Sequence, residues 1–142
     1  LRKGQPMANF YGQTRSNYFA VKDAEAFEAE LENYPVKVIT QEKDGVTLYG
    51  FLDNDDDGSG EIWSIYNDET DEFDEIDWAD VFKRHLQDDW VAVIVTNGHE
   101  MYRYLTGDAT AYNNKGESKT INLEHIYDLA KDLGSNRTFA SH

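Results

Sequence analysis

Asp53, Asp55 and Asp57 stand at alternate positions just ahead of Gly58 in a chain of 142 residues. Carboxylates at that spacing converge on a hard divalent cation when the backbone turns sharply, and Gly permits the turn. The pattern then departs from a helix–loop–helix calcium loop. Counting Asp53 as the first position, the eighth is normally apolar and here is Gly60. The twelfth is normally a bidentate Glu and here is Ser64. The flanks read as strands rather than helices. Two readings follow: a divalent-cation site on Asp53, Asp55 and Asp57, or a solvated hairpin tip whose Asp, Asn and Gly serve turn geometry.

A second acidic cluster is denser. Eight of the thirteen residues at 68–80 are Asp or Glu, and residues 44–82 hold fourteen carboxylates without one Lys or Arg. That segment accounts for nearly all of the chain's formal charge of −15. Like charges packed together repel and destabilise a compact state, so solvated surfaces normally mix both signs. The bias points to a positive partner. The candidate contact residues are Asp68, Glu69, Asp71, Glu72, Phe73, Asp74, Glu75, Asp77, Trp78 and Asp80. If the second half of the cluster is helical, Asp71, Glu75 and Glu72 share one face, as do Asp77 and Asp80. Negative charges would then lie roughly 5–6 Å apart along a rigid rod. Duplex DNA likewise presents fixed anions, about one per 1.7 Å of axis. Phe73, Ile76 and Trp78 interleave as apolar anchors, which suits an interface with aromatic hot spots. The plainer alternative is an acidic helix N-terminus favoured by the helix dipole, with a solvated face beside it.

Other chemistry is sparse. The absence of Cys excludes disulfides and thiolate sites and agrees with a reducing compartment. The histidines are scattered: His85 near Asp88 and Asp89, His99 before Glu100, His125 after Glu124, and His142 at the end. No metalloprotease, nucleophile-elbow, phosphate-loop or dinucleotide motif occurs. The sequence reads as a non-enzyme with no cofactor, the cation site apart. Tyr102, Arg103 and Tyr104 alternate on a strand, and such aromatics can stack bases. The negative charge opposes direct contact with nucleic acid or anionic membrane. No apolar run approaches the roughly 18 residues of a membrane span, and a cytoplasmic setting is expected.

The elements that must position these residues follow from periodicity and turn chemistry. Residues 16–22 read as a strand, and Asp23 caps a helix over 24–34 that Pro35 stops. Strands over 36–41 and 46–53 flank an Asp44-Gly45 turn. A strand over 61–67 follows the first acidic loop. A helix is expected over 76–87, with Ile76, Ala79, Phe82 and Leu86 inward. The apolar run 90–96 reads as a central strand ended by a turn at Asn97-Gly98. Strands over 100–105, 108–112 and 117–121 lead to a helix over 123–133, capped by Asn122, with Ile126, Leu129, Ala130 and Leu133 inward. Residues 1–6 read as an expression remnant, and 7–142 as a single globular domain. The fold class is α+β: a mostly antiparallel meandering sheet with about three helices packed on it, in the order β-α-β-β-β-α-β-β-β-α.

The chain resembles small acidic accessory proteins of bacterial plasmids and phages. The resemblance is carried by Ser16-Asn17-Tyr18-Phe19 with Val21 and Asp23. It continues through Gly98-His99-Glu100, Arg103-Tyr104, Gly107-Asp108-Ala109, Asn114-Lys115-Gly116-Glu117 and Ile126-Tyr127. It implies a mobile element in a bacterial host, where such proteins inhibit host defence as anti-restriction or anti-CRISPR factors, some by mimicking DNA. Here the charge is confined to one segment, which favours a localised docking patch over whole-surface mimicry. The expected partner is a basic protein, a nuclease or another nucleic-acid-binding complex. An immunity protein that neutralises a basic toxin would use the same physics, and a cation-binding module at the acidic loop is the third reading.

Overall fold

A computed structural model describes residues 11–54 and 58–140. The fold is α+β, with a six-stranded antiparallel sheet, a separate two-stranded sheet and three α-helices. The strands are β1 (Tyr11–Ser16), β2 (Val36–Lys43), β3 (Val46–Asp53), β4 (Ser64–Asn67), β5 (Glu72–Glu75), β6 (Ala92–Glu100), β7 (Arg103–Tyr112) and β8 (Ser118–Asn122). The helices are α1 (Ala24–Leu31), α2 (Trp78–His85) and α3 (His125–Leu129), the last running into a 3-10 turn at Ala130–Asp132. The large sheet runs β2-β3-β1-β6-β7-β8, and β4 pairs only with β5.

Local chemistry explains most of these elements. Asp44 and Gly45 both take left-handed φ, 52° and 80°, as the tight turn between twisted strands requires. That turn sets eight successive pairs from Lys43↔Val46 to Val36↔Asp53. Asp23 caps α1, its side chain accepting from Ala26 N at 3.2 Å. Asp77 caps α2 by accepting from Asp80 N at 3.2 Å, and Lys83, Arg84 and His85 sit at the negative end of the dipole.

Between one face of the sheet and helices α1 and α2 lies an aromatic core. Phe51 stacks on Trp78 with centroids 4.8 Å apart. Phe19 meets Phe82 edge-on at 5.4 Å, and Phe82 lies 5.0 Å from Tyr112. Phe19, Phe27, Phe51 and Phe82 are wholly buried. Each such ring contributes a few kcal/mol by leaving water.

Several sequence-based expectations need correction. The first strand is Tyr11–Ser16, not 16–22; beyond Ser16 the chain makes only isolated bridges, Phe19↔Tyr49 and Val21↔Leu86. Asn97-Gly98 makes no turn. It continues β6 opposite β1 and β7, and the chain reverses after a bulge near Gly98, where Met101 takes φ 55°. The two strands expected around Gly107 are one, β7. The final helix is only five residues long, and Ile126, Leu129 and Leu133 are exposed rather than inward. α1 and α2 pack on the core face of the sheet, and α3 lies beside Leu105 and Ile121 at its β8 end. β5 is a strand that the sequence reading did not assign, just ahead of the helix expected over 76–87.

Candidate functional site

The dense acidic cluster forms a hairpin that stands apart from the main sheet. β4 and β5 pair through Ser64↔Glu75, Ile65↔Asp74, Tyr66↔Phe73 and Asn67↔Glu72. Asn67 organises the connecting turn: its Oδ1 accepts from Glu69 N at 2.9 Å, and its carbonyl accepts from Asp71 N at 2.9 Å. Asp71 takes φ 57°, a conformation that short polar side chains tolerate. Opposed residues of an antiparallel pair share a side. Ile65 turns inward and packs against the core, so Tyr66 and Phe73 point the other way. Their rings meet edge-on at 5.4 Å, Phe73 being 69% and Tyr66 49% exposed.

Strand geometry overturns the helical spacing expected for the carboxylates. Glu72 and Asp74 lie on one side of β5, and Phe73 and Glu75 on the other. Asp71, Glu72 and Glu75 thus do not share one helical face. Every residue from 68 to 75 is exposed. Among the described residues, Asp68, Glu69, Asp71, Glu72, Asp74 and Glu75 have no salt bridge. Their hydrogen bonds are local: Asn67 Nδ2 donates to Asp74 Oδ2 at 3.1 Å, and the Tyr66 hydroxyl donates to Asp71. The Asp71 bond raises the Tyr66 pKa, because a phenolate would lose the bond and face a carboxylate.

Three of the expected contact residues belong to the scaffold. Trp78 is 2% exposed, stacks on Phe51 and donates from Nε1 to the Ile62 carbonyl at 3.0 Å. It cannot anchor a partner, and Ile76 is likewise buried. Asp77 is the α2 cap, and Asp80 binds Arg84 Nε at 2.8 Å within the same helix. The surface that remains is 68–75 with Tyr66, a residue that sequence reasoning placed on a strand face but did not select.

Of the three candidate cation ligands, only Asp53 lies among the described residues; Asp55 and Asp57 lie outside them. Asp53 Oδ2 accepts from Thr14 N at 2.8 Å, tying β3 to β1. No group of three or more potential metal-ligating side chains occurs among the described residues. The loop is also not a simple hairpin tip, because β3 and β4 belong to different sheets. Its return arm crosses the end of β1: Gly12 N donates to the Gly58 carbonyl at 2.7 Å. A Cβ on Gly60, whose φ is +76°, would lie 2.9 Å from Gln13 N.

A polar cluster that the sequence did not reveal joins α1 to α2. Glu30 accepts from both terminal nitrogens of Arg84, at 2.7 and 2.8 Å, and from the Tyr34 hydroxyl at 2.6 Å. His85 Nε2 contacts the same carboxylate at 2.6 Å. The Arg84 bond chiefly holds the Glu30 pKa down to about 2, against burial, which raises it. Burial and then Glu30 push the Tyr34 phenol up to about 12. A carboxylate so fully engaged is a poor general base near neutral pH, and no nucleophile adjoins it. The cluster is a clamp between helices. Only Asp80 and Arg84, at i,i+4, left a trace in the sequence.

Tyr102 lies in the turn before β7 and is 88% exposed, so the expected strand alternation with Tyr104 does not start there. Among the described residues no helix is long and apolar enough to cross a membrane. Comparison with protein-family models, curated proteins and solved structures gave no match, and so no enzyme family.

Proposed function

We propose that this chain is an inhibitory interaction protein whose β4–β5 hairpin docks on a basic, nucleic-acid-binding surface of another protein. One observation carries the reading: a two-stranded hairpin carries six exposed carboxylates without salt bridges, and on one of its sides an exposed Tyr66–Phe73 ring pair. The carboxylates answer cations that otherwise hold phosphates, and they steer encounter. The rings supply what phosphates cannot, apolar area to bury at the contact centre. Trp78 is buried in the core and makes no contact, and Asp77 and Asp80 serve helix α2 as its cap and as the partner of Arg84. The resemblance to plasmid and phage accessory proteins gives the setting, a mobile-element product in the bacterial cytoplasm acting as an anti-restriction or anti-CRISPR factor. A divalent cation has no part in this reading.

The test is capture of partners from bacterial lysate on the immobilised chain, with duplex DNA added as competitor. A specific partner should be released by DNA and by salt in the 0.5–1 M range, since charge holds it. Reversal of Asp71, Glu72, Asp74 and Glu75 to Lys should abolish capture. Phe73→Ala should weaken it about tenfold or more, as expected for an aromatic hot spot. Capture that survives the fourfold reversal would remove the hairpin from the interface.

A further inference from the structure

The side of the six-stranded sheet facing away from α1 and α2 is as distinctive as the hairpin. The register runs one complete row across it: Lys37, Leu52, Arg15, Val95, Ala109 and Ile121. The adjacent row holds Ile39, Gly50, Asn17, Val93, Ala111 and Lys119, where Asn17 exchanges hydrogen bonds with Val93 at 2.8 and 3.1 Å. The row on the other flank holds Gln13, Asn97 and Gly107. No position in these rows is Asp or Glu, in a chain with 28 such residues. The cations are Lys37, Arg15 and Lys119, and none has a salt bridge among the described residues. Aliphatic side chains lie open to solvent at the centre and at the β8 edge: Val95 is 48% and Ile121 65% exposed. Leu105, Ile121, Leu123, Ile126 and Leu129 continue it into a groove of about 760 Å³ beside α3.

We infer that a second copy of this chain covers this face, forming a two-fold dimer by sheet-on-sheet packing. The charge layout selects that occupant. Two molecules at −15 repel wherever carboxylates oppose each other, and the three rows named above hold none. Meeting here turns both acidic hairpins outward. The order of residues along the rows is also self-complementary. A two-fold axis parallel to the strands reverses strand order in the second copy. Lys37 then lies over Ile121 of the second copy, Leu52 over its Ala109, and Arg15 over its Val95. The neighbouring row puts Lys119 over Ile39, and the next brings Gln13 to Asn97, where two amides can exchange hydrogen bonds. No cation faces a cation. An axis across the strands, along the first row, would instead place Lys37 and Arg15 each over its own copy. Packed sheets lie about 10 Å apart and within about 30° of parallel, close enough for these pairs to touch. Isologous dimers of this kind are the commonest protein assemblies. Ala109 and Ala111 keep the surface low.

Sedimentation velocity on the full chain from 1 to 200 µM tests the inference without reference to any target. A species of about 33 kDa, twice the 16.3 kDa chain, is expected at 0.15 M NaCl and should persist at 1 M, because the contact is apolar. Ile121→Lys should weaken dimerisation about tenfold or more, and adding Lys37→Glu should restore it, since each new Lys then faces a new Glu. Both positions are exposed, so unchanged circular dichroism and melting would show that folding is intact. A monomer at 200 µM would overturn the proposal. So would a dimer indifferent to Ile121→Lys, or one lost on Phe73→Ala, which would place the interface on the hairpin.

Discussion

Glu30 and Arg84, 54 residues apart in the chain, meet through a two-pronged ion pair at 2.7 and 2.8 Å that fastens α1 to α2. Its linkage to pH has a definite sign. The Glu30 pKa is held down to about 2 in the folded chain, so the folded state binds fewer protons there than the unfolded state does. The stabilisation is complete above the ordinary carboxylate range of about 4 and is lost as pH falls toward about 2. The Glu30 side chain is 22% and the Arg84 side chain 46% exposed. Solvent screening on the Arg84 side reduces the expected contribution to about 1–2 kcal/mol. Urea unfolding should show Glu30→Gln less stable than the parent by that amount at pH 7, with the gap closing between pH 4 and pH 2. A gap that is unchanged at pH 2 would remove the ion pair as its cause.

Trp78 and Phe73 make a matched pair of tests. Both lie in the acidic segment and both looked like partner anchors in the sequence. Trp78→Ala should cost about 3–5 kcal/mol, because it removes a stacked core ring and leaves the Ile62 carbonyl unpaired. Phe73→Ala should stay within about 0.5 kcal/mol, as an exposed position does. Denaturant midpoints of the two variants separate scaffold from surface.

Gly60 and Gly45 have similar φ, +76° and +80°, but unequal surroundings. A Cβ on Gly45 meets nothing within 4 Å, so Gly45→Ala should cost only the left-handed strain of about 1–2 kcal/mol. At Gly60 the same strain combines with a clash against the β1 backbone, and the loss should exceed that of Gly45→Ala by about 1 kcal/mol or more. Equal melting temperatures for the two variants would show that the loop does not rest on β1.

Tyr66 should ionise at higher pH than an ordinary tyrosine, because its hydroxyl donates to Asp71. Asp71→Asn removes the repelling charge and should move the titration back toward the usual value, as followed by tyrosinate absorbance or NMR. An identical titration in both proteins would dissolve the contact.

Which features were legible in the sequence depends on how locally each is encoded. The Asp44-Gly45 turn, the Asp23 cap and the strands beside them are written in adjacent residues, and the structure reproduces them. Asn97-Gly98 carries a turn signal too, but it lies between β1 and β7, and pairing on both sides outweighs local preference. Helical spacing misread residues 71–75 because Glu and Asp suit a helix start, while the Tyr66–Phe73 contact and the Asn67 turn favour a hairpin. Trp78 looked like an anchor because the sequence gives its neighbours but not Phe51, which stacks on it from β3. The carboxylate-free rows on the far side of the sheet were invisible, since they draw residues from six separate segments.

The position of β1 bears on how the chain assembles. It is the first strand in order, yet it lies between β3 and β6, and its Gln13 pairs with Asn97. On either side of it sits a unit whose pairings are local: the β2–β3 hairpin, and the β6–β7–β8 meander. Each can form with short loops to close, whereas β1 must wait for β6, which a ribosome delivers some eighty residues later. Until β1 is seated between them, the facing edges of β3 and β6 stay bare. The rate at which this protein reaches its native state should therefore be governed by insertion of the first-made strand between two units completed after it.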